Sequence, residues 1–399
     1  MNAPNETSLA ATKLSRRAES LGTENAFVVL AEVNALVRQG KDIVSFCIGQ
    51  PDFPTPPNIQ EAGIAAIRTG KHGYTPSAGI DELRVAAAKD LGARRGLAFL
   101  PEDVVVGAGA KPFIAYTIAS VTDYGAGDEV IYPVPGFPIY ESQILANGAV
   151  PVPIYLREAR EFAFDPAELE AKITPQTKLL ILNTPHNPTG MVWTADDIAE
   201  LRRTLEGTDA IVISDEVYEH IIFDGGMHES LARYPDIASR AIVISSFGKT
   251  YHTTGWKVGY CAAPPELTRE IQGVHQWVTF AVNGAVQMAY AEMVNRDPTA
   301  ADVTAFYQGR RDLFLSLIAG SRFKPLACRG TFFQLVDYSA ITDERDIDFA
   351  QRLTREHGVA AIPISPFLNE NEEPGPVVRF CFAKKDDTLK RAAERLARV

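Results

Sequence analysis

Lys249 stands in Ser245-Ser-Phe-Gly-Lys-Thr-Tyr251, directly after the apolar run Ala241–Ser245, and Lys257 follows in Thr254-Gly-Trp-Lys-Val-Gly259. Most lysines lie on solvated faces, because taking an ammonium out of water is costly. A lysine with a lowered pKa in a site can form a Schiff base with a carbonyl. Other polar residues occupy equivalent places. Asp215 closes the run Ala210–Ser214 and opens Asp-Glu-Val-Tyr218, and Asn187 lies in Asn183-Thr-Pro-His-Asn-Pro-Thr-Gly190. A carboxylate at the C-terminal end of a parallel strand sits where open α/β sheets bind ligands. Pro185, Pro188 and Gly190 mark a fixed loop. Gly107-Ala-Gly-Ala-Lys-Pro112 follows Val104-Val-Val and opens a helical run. Its small residues let backbone N–H groups approach an anion at a helix N-terminus. The pattern is neither Walker A nor GxGxxG. Singly, each feature has a plain structural reading: a surface lysine in a turn, a cap, close helix–strand packing. Together, four strand ends offer an anion cradle, an Asn, an Asp and a Lys.

The elements that must position these residues follow from periodicity. Short β-branched runs at 104–107, 128–133, 178–183, 210–216 and 241–248 alternate with helical patterns. This predicts an α/β fold with a mostly parallel sheet covered on both faces. Thr194-Ala-Asp-Asp197 opens one helix as a capping box. After about residue 300 the spacing changes. A helix over 301–319 precedes a strand within 331–338; a helix over 346–357 leads to strand segments in 359–365 and 377–383. Asp386 and Asp387 start a last helix with Leu389, Ala392, Ala393 and Leu396 on one face. This predicts a smaller α+β body, joined by a helix over 24–39 and the strand DIVSFCIG. The uncharged stretch Ile271–Ala291 carries Gln272, His275, Gln276, Asn283 and Gln287. It predicts a buried amphipathic helix rather than a membrane span.

Composition bounds the rest. The 399 residues allow two or three packed units, with 46% apolar and 22% charged residues, as in ordinary globular proteins. Lys+Arg minus Asp+Glu is 39 − 50 = −11, which argues against nucleic-acid or anionic-membrane partners. Cys47, Cys261, Cys328 and Cys381 form no CxxC pair. They are expected as buried free thiols in a reducing, cytoplasmic setting, with no metal. The start MNAPNETSLAATKLSRR has no apolar h-region; residues 1–13 are read as a flexible tail.

The succession NTPHNPTG, SDEVY, SFGKT and GWKVGY, with IGQPDF (48–53), YTPSAGIDELR (74–84) and VVRFCFA (377–383), resembles the class I/II aminotransferases. These are pyridoxal 5'-phosphate enzymes of fold type I, and the resemblance runs from about residue 14 to the end. Up to about residue 175 it is to the bacterial aspartate-aminotransferase type. From TKLLILNTPHNPTG onward it is to methionine/kynurenine/glutamine aminotransferases. A recombined chain would give this pattern, and so would an intermediate relative.

The resemblance implies a large cofactor-binding domain over 50–300 with a mostly parallel seven-stranded sheet. A smaller α+β domain would comprise 14–49 and 301–399. Lys249 matches the Schiff-base lysine, and Asp215 the partner of the pyridine nitrogen, which keeps the ring an electron sink. Tyr218 and Asn187 would hydrogen-bond the ring's 3′-oxygen, and Phe137 would stack on the ring. The phosphate would meet the backbone N–H groups of Ala110 and Lys111, with Ser246 and Lys257. Tyr74 would reach the phosphate of the neighbouring subunit in a homodimer with shared active sites. Arg379 would grip the substrate α-carboxylate, with Gly49 close by. The implied reaction moves an α-amino group to a 2-oxo acid through pyridoxamine phosphate, with ping-pong kinetics.

Met, aromatic, kynurenine or Gln donors are expected, because a dicarboxylic donor needs a second cation and only Lys111 offers one. Phe27 stands where the aspartate type tends to carry a small hydroxyl residue. Tyr251, His275, Trp277 and Phe280 are expected to add apolar and aromatic surface near the substrate, although Trp277 and Phe280, taken singly, read more readily as core. The rivals on the same fold are an aspartate:2-oxoglutarate-type aminotransferase and a cysteine-conjugate C–S β-lyase. A non-catalytic binding module would be expected to lack Lys249 or Arg379. A nicotinamide dehydrogenase would carry GxGxxG after a strand, which no strand here does.

Overall fold

The computed structural model describes residues 15, 17, 21, 24–296 and 301–399; the expected tail over 1–13 lies outside them. A seven-stranded sheet forms the larger body. Its strands are β2 (Val104–Gly107), β3 (Glu129–Val134), β4 (Val150–Tyr155), β5 (Thr177–Asn183), β6 (Ile211–Asp215), β7 (Ala241–Ser246) and β8 (Gly259–Ala262), in spatial order β2-β8-β7-β6-β5-β3-β4. β3 to β7 run parallel; β8 is antiparallel to both β2 and β7.

The apolar blocks make both faces. Leu179, Ile181, Ile213, Ile242 and Ile244 pack with Phe113, Ile144 and Ile271 on one side. Leu180, Leu182 and Val212 pack with Ile198 and Leu201 on the other. Successive strand residues point to opposite faces, so continuous apolar runs are needed where both are covered. The helix Ala195–Thr204 opens on the expected capping box: Thr194 accepts from the Asp197 N–H, and the Asp197 carboxylate accepts from the Thr194 N–H.

Two strands escaped the periodicity. β4 is the sheet edge and carries Pro151 and Pro153, residues that edge strands tolerate because one side lacks ladder partners. β8, between Lys257 and the helix Pro265–Val278, reads Gly-Tyr-Cys-Ala and has none of the β-branched residues that mark the equally short β2. The stretch Ile271–Ala291 is not one helix. Pro265–Val278 and Gly284–Arg296 are separate, and Phe280 sits between them at φ 70°.

The second body holds an antiparallel sheet, β12-β13-β10-β9, from Ile362–Pro363, Val377–Cys381, Phe333–Asp337 and Lys324–Pro325. The N-terminal strand β1 (Val44–Ser45) pairs in parallel with β11 (Val359–Ala360), as expected of a segment joining the C-terminal part. Phe46, Phe314, Phe349 and Phe380 share its core with Leu389, Ala392 and Ala393 of the last helix. All four cysteines are buried and free. Among the described residues no helix is long and apolar enough to cross a membrane.

Candidate active site

Three loops leave the C-terminal ends of parallel strands side by side, and the antiparallel body leans over them. A cleft of about 380 Å³ lies between. Asn183, Asp215 and Ser246 are the last residues of β5, β6 and β7. Arg379 is the third residue of β13 and faces Ile362 and Leu335 in register. Of the thirteen residues that the resemblance places at the cofactor or at the substrate, leaving aside the four rings expected to add surface around it, twelve line this cleft. The exception is Tyr74, which is 93% exposed and packs edge-on against Phe280 elsewhere on the surface.

Asp215 is buried, and its neighbours are neutral donors. Tyr140 O–H donates to Oδ2 at 2.8 Å, and the Val217 N–H reaches Oδ1 at 3.4 Å. Burial pushes the carboxyl up to about 6, against the opposing pull of the Tyr140 hydrogen bond. Lys249 lies in the short helix Phe247–Thr250. Its Nζ donates to the Gly49 carbonyl at 3.2 Å and sits 5.5 Å from the Tyr218 ring centroid. Burial pulls its amine down to about 8, so the neutral form is a minority near physiological pH but far more populated than for an ordinary lysine. Burial also raises the Tyr218 hydroxyl well above its ordinary value.

Arg379 is buried and held on several sides. Nη1 donates to Asn187 Oδ1 at 2.8 Å and Nη2 to the Cys47 carbonyl at 3.0 Å. Its guanidinium lies 3.9 Å from the Phe333 ring centroid and 4.8 Å from that of Phe367. Its Nε is buried and has no hydrogen-bond partner among the described residues. Burial lowers it to about 10. Asn187 is fixed in turn, because its N–H donates to Asn183 Oδ1 at 2.8 Å while Asn183 Nδ2 donates to the Asp215 carbonyl. One chain of hydrogen bonds therefore ties Arg379 to the end of β6.

The opposite end is built from backbone. Gly109 has φ 87°, and a Cβ there would lie 3.1 Å from Lys257 Nζ. A Cβ on Gly259 would lie 2.7 Å from the Ala110 nitrogen. Lys257 itself is held at φ 54°, a left-handed conformation costly for a non-glycine residue. Its ammonium is thereby brought to the start of the helix Lys111–Val121, and burial followed by the nearby Lys111 charge lowers its pKa.

Behind Asp215, Glu216 faces away from the cleft into a buried ionic cluster. Arg95 bridges Glu216 and Glu219, Arg94 bridges Glu219 and Asp90, and Ser214, Ser230 and His228 each bond Glu216. Burial alone would raise Glu216, but the Arg95 charge overrides it and holds the carboxyl at about 2. Ser245 donates to Glu219, so this cluster fixes the ends of β6 and β7 from the far side.

Several assignments are corrected. Tyr251 and His275 do not line the cleft: Tyr251 packs in the core with Tyr290, and His275 lies between Phe113 and Tyr116. Trp277 and Phe280 are neither core nor cleft. They are 89% and 43% exposed, because the helix Pro265–Val278 turns that end outward. The Lys111 ammonium ion-pairs with Glu24 and lies 5.0 Å from the Phe137 ring centroid. Tyr140 and Glu24 were not singled out by type and spacing. Tyr140 sits in the PGFPIY segment beside Phe137, a signal that was available; Glu24 has none, since its partner is 87 residues away.

The chain belongs to the aminotransferases of class I and II, whose family model matches residues 41–396. It is an aminotransferase. It is 40% identical over 375 residues to the methionine aminotransferase of Escherichia coli, covering 93% of this chain and 95% of that protein. It is 33% identical to the aspartate/prephenate aminotransferase of Thermus thermophilus, covering 97% and 98%. Among solved structures, an Escherichia coli protein identified by structure and reactivity as a methionine aminotransferase superposes with a TM-score of 0.91 at 39% identity, covering 98% and 100%. The Thermus thermophilus aspartate aminotransferase with maleate gives 0.89 at 32% identity, covering 97% and 99%.

Proposed function

We propose that the cleft holds pyridoxal phosphate and transaminates amino acids with thioether, aromatic or amide side chains. The observation that carries this reading is Asp215: a buried carboxylate at a strand end whose described partners are all neutral. Such a group calls for a cationic ligand atom, and a protonated pyridine nitrogen supplies one. The other donors fit the same group. Lys257, Ser246 and the backbone of Gly109, Ala110 and Lys111 gather at a helix start suited to a phosphate, and Phe137 offers a ring face. When bound, the cofactor supplies a carbonyl for the amino group and an electron sink.

The chain's own residues do the rest in this reading. Arg379 takes the substrate α-carboxylate, its unpartnered Nε leaving donor capacity free. Asn187 and Tyr218 orient the ring from one side. The neutral amine of Lys249 would accept the proton from the substrate Cα and, as the ammonium so formed, deliver it to a different atom on the same face. Tyr140 holds Asp215 in place.

The donor preference is supported by the apolar wall of Ile48, Phe333, Ile362 and Phe367 and by the name of the 40%-identical relative. An aspartate-type preference has two observations in its favour, the Lys111 ammonium at the cleft and the name of the 33%-identical relative. The reading includes a cofactor-binding domain over 50–300 and a smaller domain from 14–49 and 301–399. It also includes a homodimer, for which exposed Tyr74, Trp277 and Ile67 supply apolar surface, in the cytoplasm, where free thiols persist. Borohydride reduction of the holoenzyme and peptide mapping test the chemistry: the phosphopyridoxyl group is expected on Lys249, and label on any other lysine rejects it. A donor panel of Met, Phe, kynurenine, Gln and Asp with one saturating acceptor tests the preference.

A further inference from the structure

The polar lining of the cleft is unequal. Four cations, Lys111, Lys249, Lys257 and Arg379, face two acids, Glu24 and Asp215. Three of the cations already have a role: Arg379 bonds Asn187 and the Cys47 carbonyl, Lys249 bonds the Gly49 carbonyl, and Lys257 is given to the cofactor phosphate in the reading proposed above. Lys111 is the remaining one, and Glu24 holds it. The pairing has physical reasons on both sides. Lys111 is the first residue of its helix, where the dipole disfavours a cation. Glu24 immediately precedes the helix Asn25–Arg38 but makes no side-chain cap there, so its carboxylate is free to reach across the cleft.

We propose that Glu24 is a specificity-determining residue that biases this end of the cleft against dicarboxylates in both half-reactions, so that monocarboxylic donors and acceptors are favoured. The inference rests on the aminotransferase reading with the α-carboxylate at Arg379. A second carboxylate on the substrate has only Lys111 to meet. To do so it must displace Glu24 or lie beside it, and two carboxylates at one ammonium repel. The pair is partly exposed, with side-chain exposures of 39% and 28%, so the effect is a moderate bias rather than an absolute bar. The surrounding surface of Phe27, Ile48 and Phe333 rewards a thioether or a ring instead. In a ping-pong reaction the acceptor enters the cleft the donor has left. The same charge therefore acts on 2-oxo acids, disfavouring 2-oxoglutarate and oxaloacetate against the 2-oxo acid of methionine.

The test uses the holoenzyme and three variants, Glu24→Gln, Glu24→Ser and Glu24→Gln with Lys111→Met. Succinate binding is measured by spectral titration, and kcat and KM are measured for 2-oxoglutarate and for the 2-oxo acid of methionine. In Glu24→Gln and Glu24→Ser, succinate affinity and kcat/KM for 2-oxoglutarate should rise by about fivefold, through KM. The methionine-derived acceptor should change by less than about twofold, and the double variant should lose the gain. Unchanged use of 2-oxoglutarate, or an equal rise for both acceptors, overturns the proposal. So does a loss for both with a lowered melting temperature in both single variants, which makes Glu24 a framework residue. A wild-type enzyme that favours aspartate over methionine refutes the donor preference together with this proposal. Unchanged 2-oxoglutarate use in Glu24→Gln, with methionine still preferred, refutes the role of Glu24 alone.

Discussion

Asp215→Asn should make the cofactor-free protein more stable at neutral pH while weakening its hold on the cofactor. The folded carboxyl titrates at about 6, against 3.8 for its ordinary value. That is roughly two units, or about 3 kcal/mol at 1.36 kcal/mol per unit. Because the folded value lies above the unfolded one, the group's contribution is fully present below about pH 4 and is lost as pH rises through about 6. At pH 7.5 an ionised carboxylate sits buried, hydrogen-bonded by Tyr140 and a backbone N–H, with the Lys249 charge as a lesser help that does not offset the cost of burial. Asparagine keeps the shape and an acceptor for Tyr140 but carries no charge. Urea unfolding of the apoprotein should therefore show the variant ahead by up to about 3 kcal/mol at pH 7.5 and level with wild type near pH 4. Adding pyridoxal phosphate should stabilise wild type more than the variant, since only the wild type gains a charge pair. A variant equal to or below wild type at pH 7.5, or an offset independent of pH, would refute the account of Asp215 as an acid waiting for a cation.

Arg379→Lys should raise KM for amino donors by roughly tenfold to a hundredfold with a smaller change in kcat. A lysine cannot keep both the Asn187 and Cys47 contacts or the stacking between Phe333 and Phe367; unchanged KM would remove Arg379 from carboxylate binding. Mixing inactive Tyr74→Ala with inactive Lys249→Ala should restore activity if sites are shared, because one hybrid site then keeps both residues. Demonstrated subunit exchange without rescue would reject that arrangement.

Much of the catalytic side was legible because its geometry is local to strands. Asp215, Ser246 and Asn187 follow apolar runs, and a run that ends in a polar residue marks the rim of a buried sheet. Lys249 is three residues beyond β7 and inherits its position. The substrate side was less legible. Arg379 and Gly49 came through resemblance, since their meeting depends on β13 and the N-terminal segment docking across the cleft. Glu24 was invisible because an ion pair over 87 residues leaves no periodic trace. Trp277 failed differently: a large ring in an uncharged stretch reads as core by hydropathy, and only the helix orientation turns it to the surface. β4 was lost to its own prolines.

The parallel pairing of Val44 with Val359 joins residues 315 positions apart. A ribosome releases the chain from its N-terminus, so β1 must wait unpaired until almost the whole polypeptide has been made. Phe46 waits with it, since its aromatic neighbours Phe314 and Phe380 are also made late. The parallel sheet, whose strands lie between residues 104 and 262, faces no such delay. The strand-end rim of the cleft can thus assemble during synthesis, whereas the wall facing it across the cleft is completed last. Such long-range closure is intrinsically slow. Lesions in the first fifty residues should therefore reveal themselves in the yield of newly made protein before they reveal themselves in its turnover.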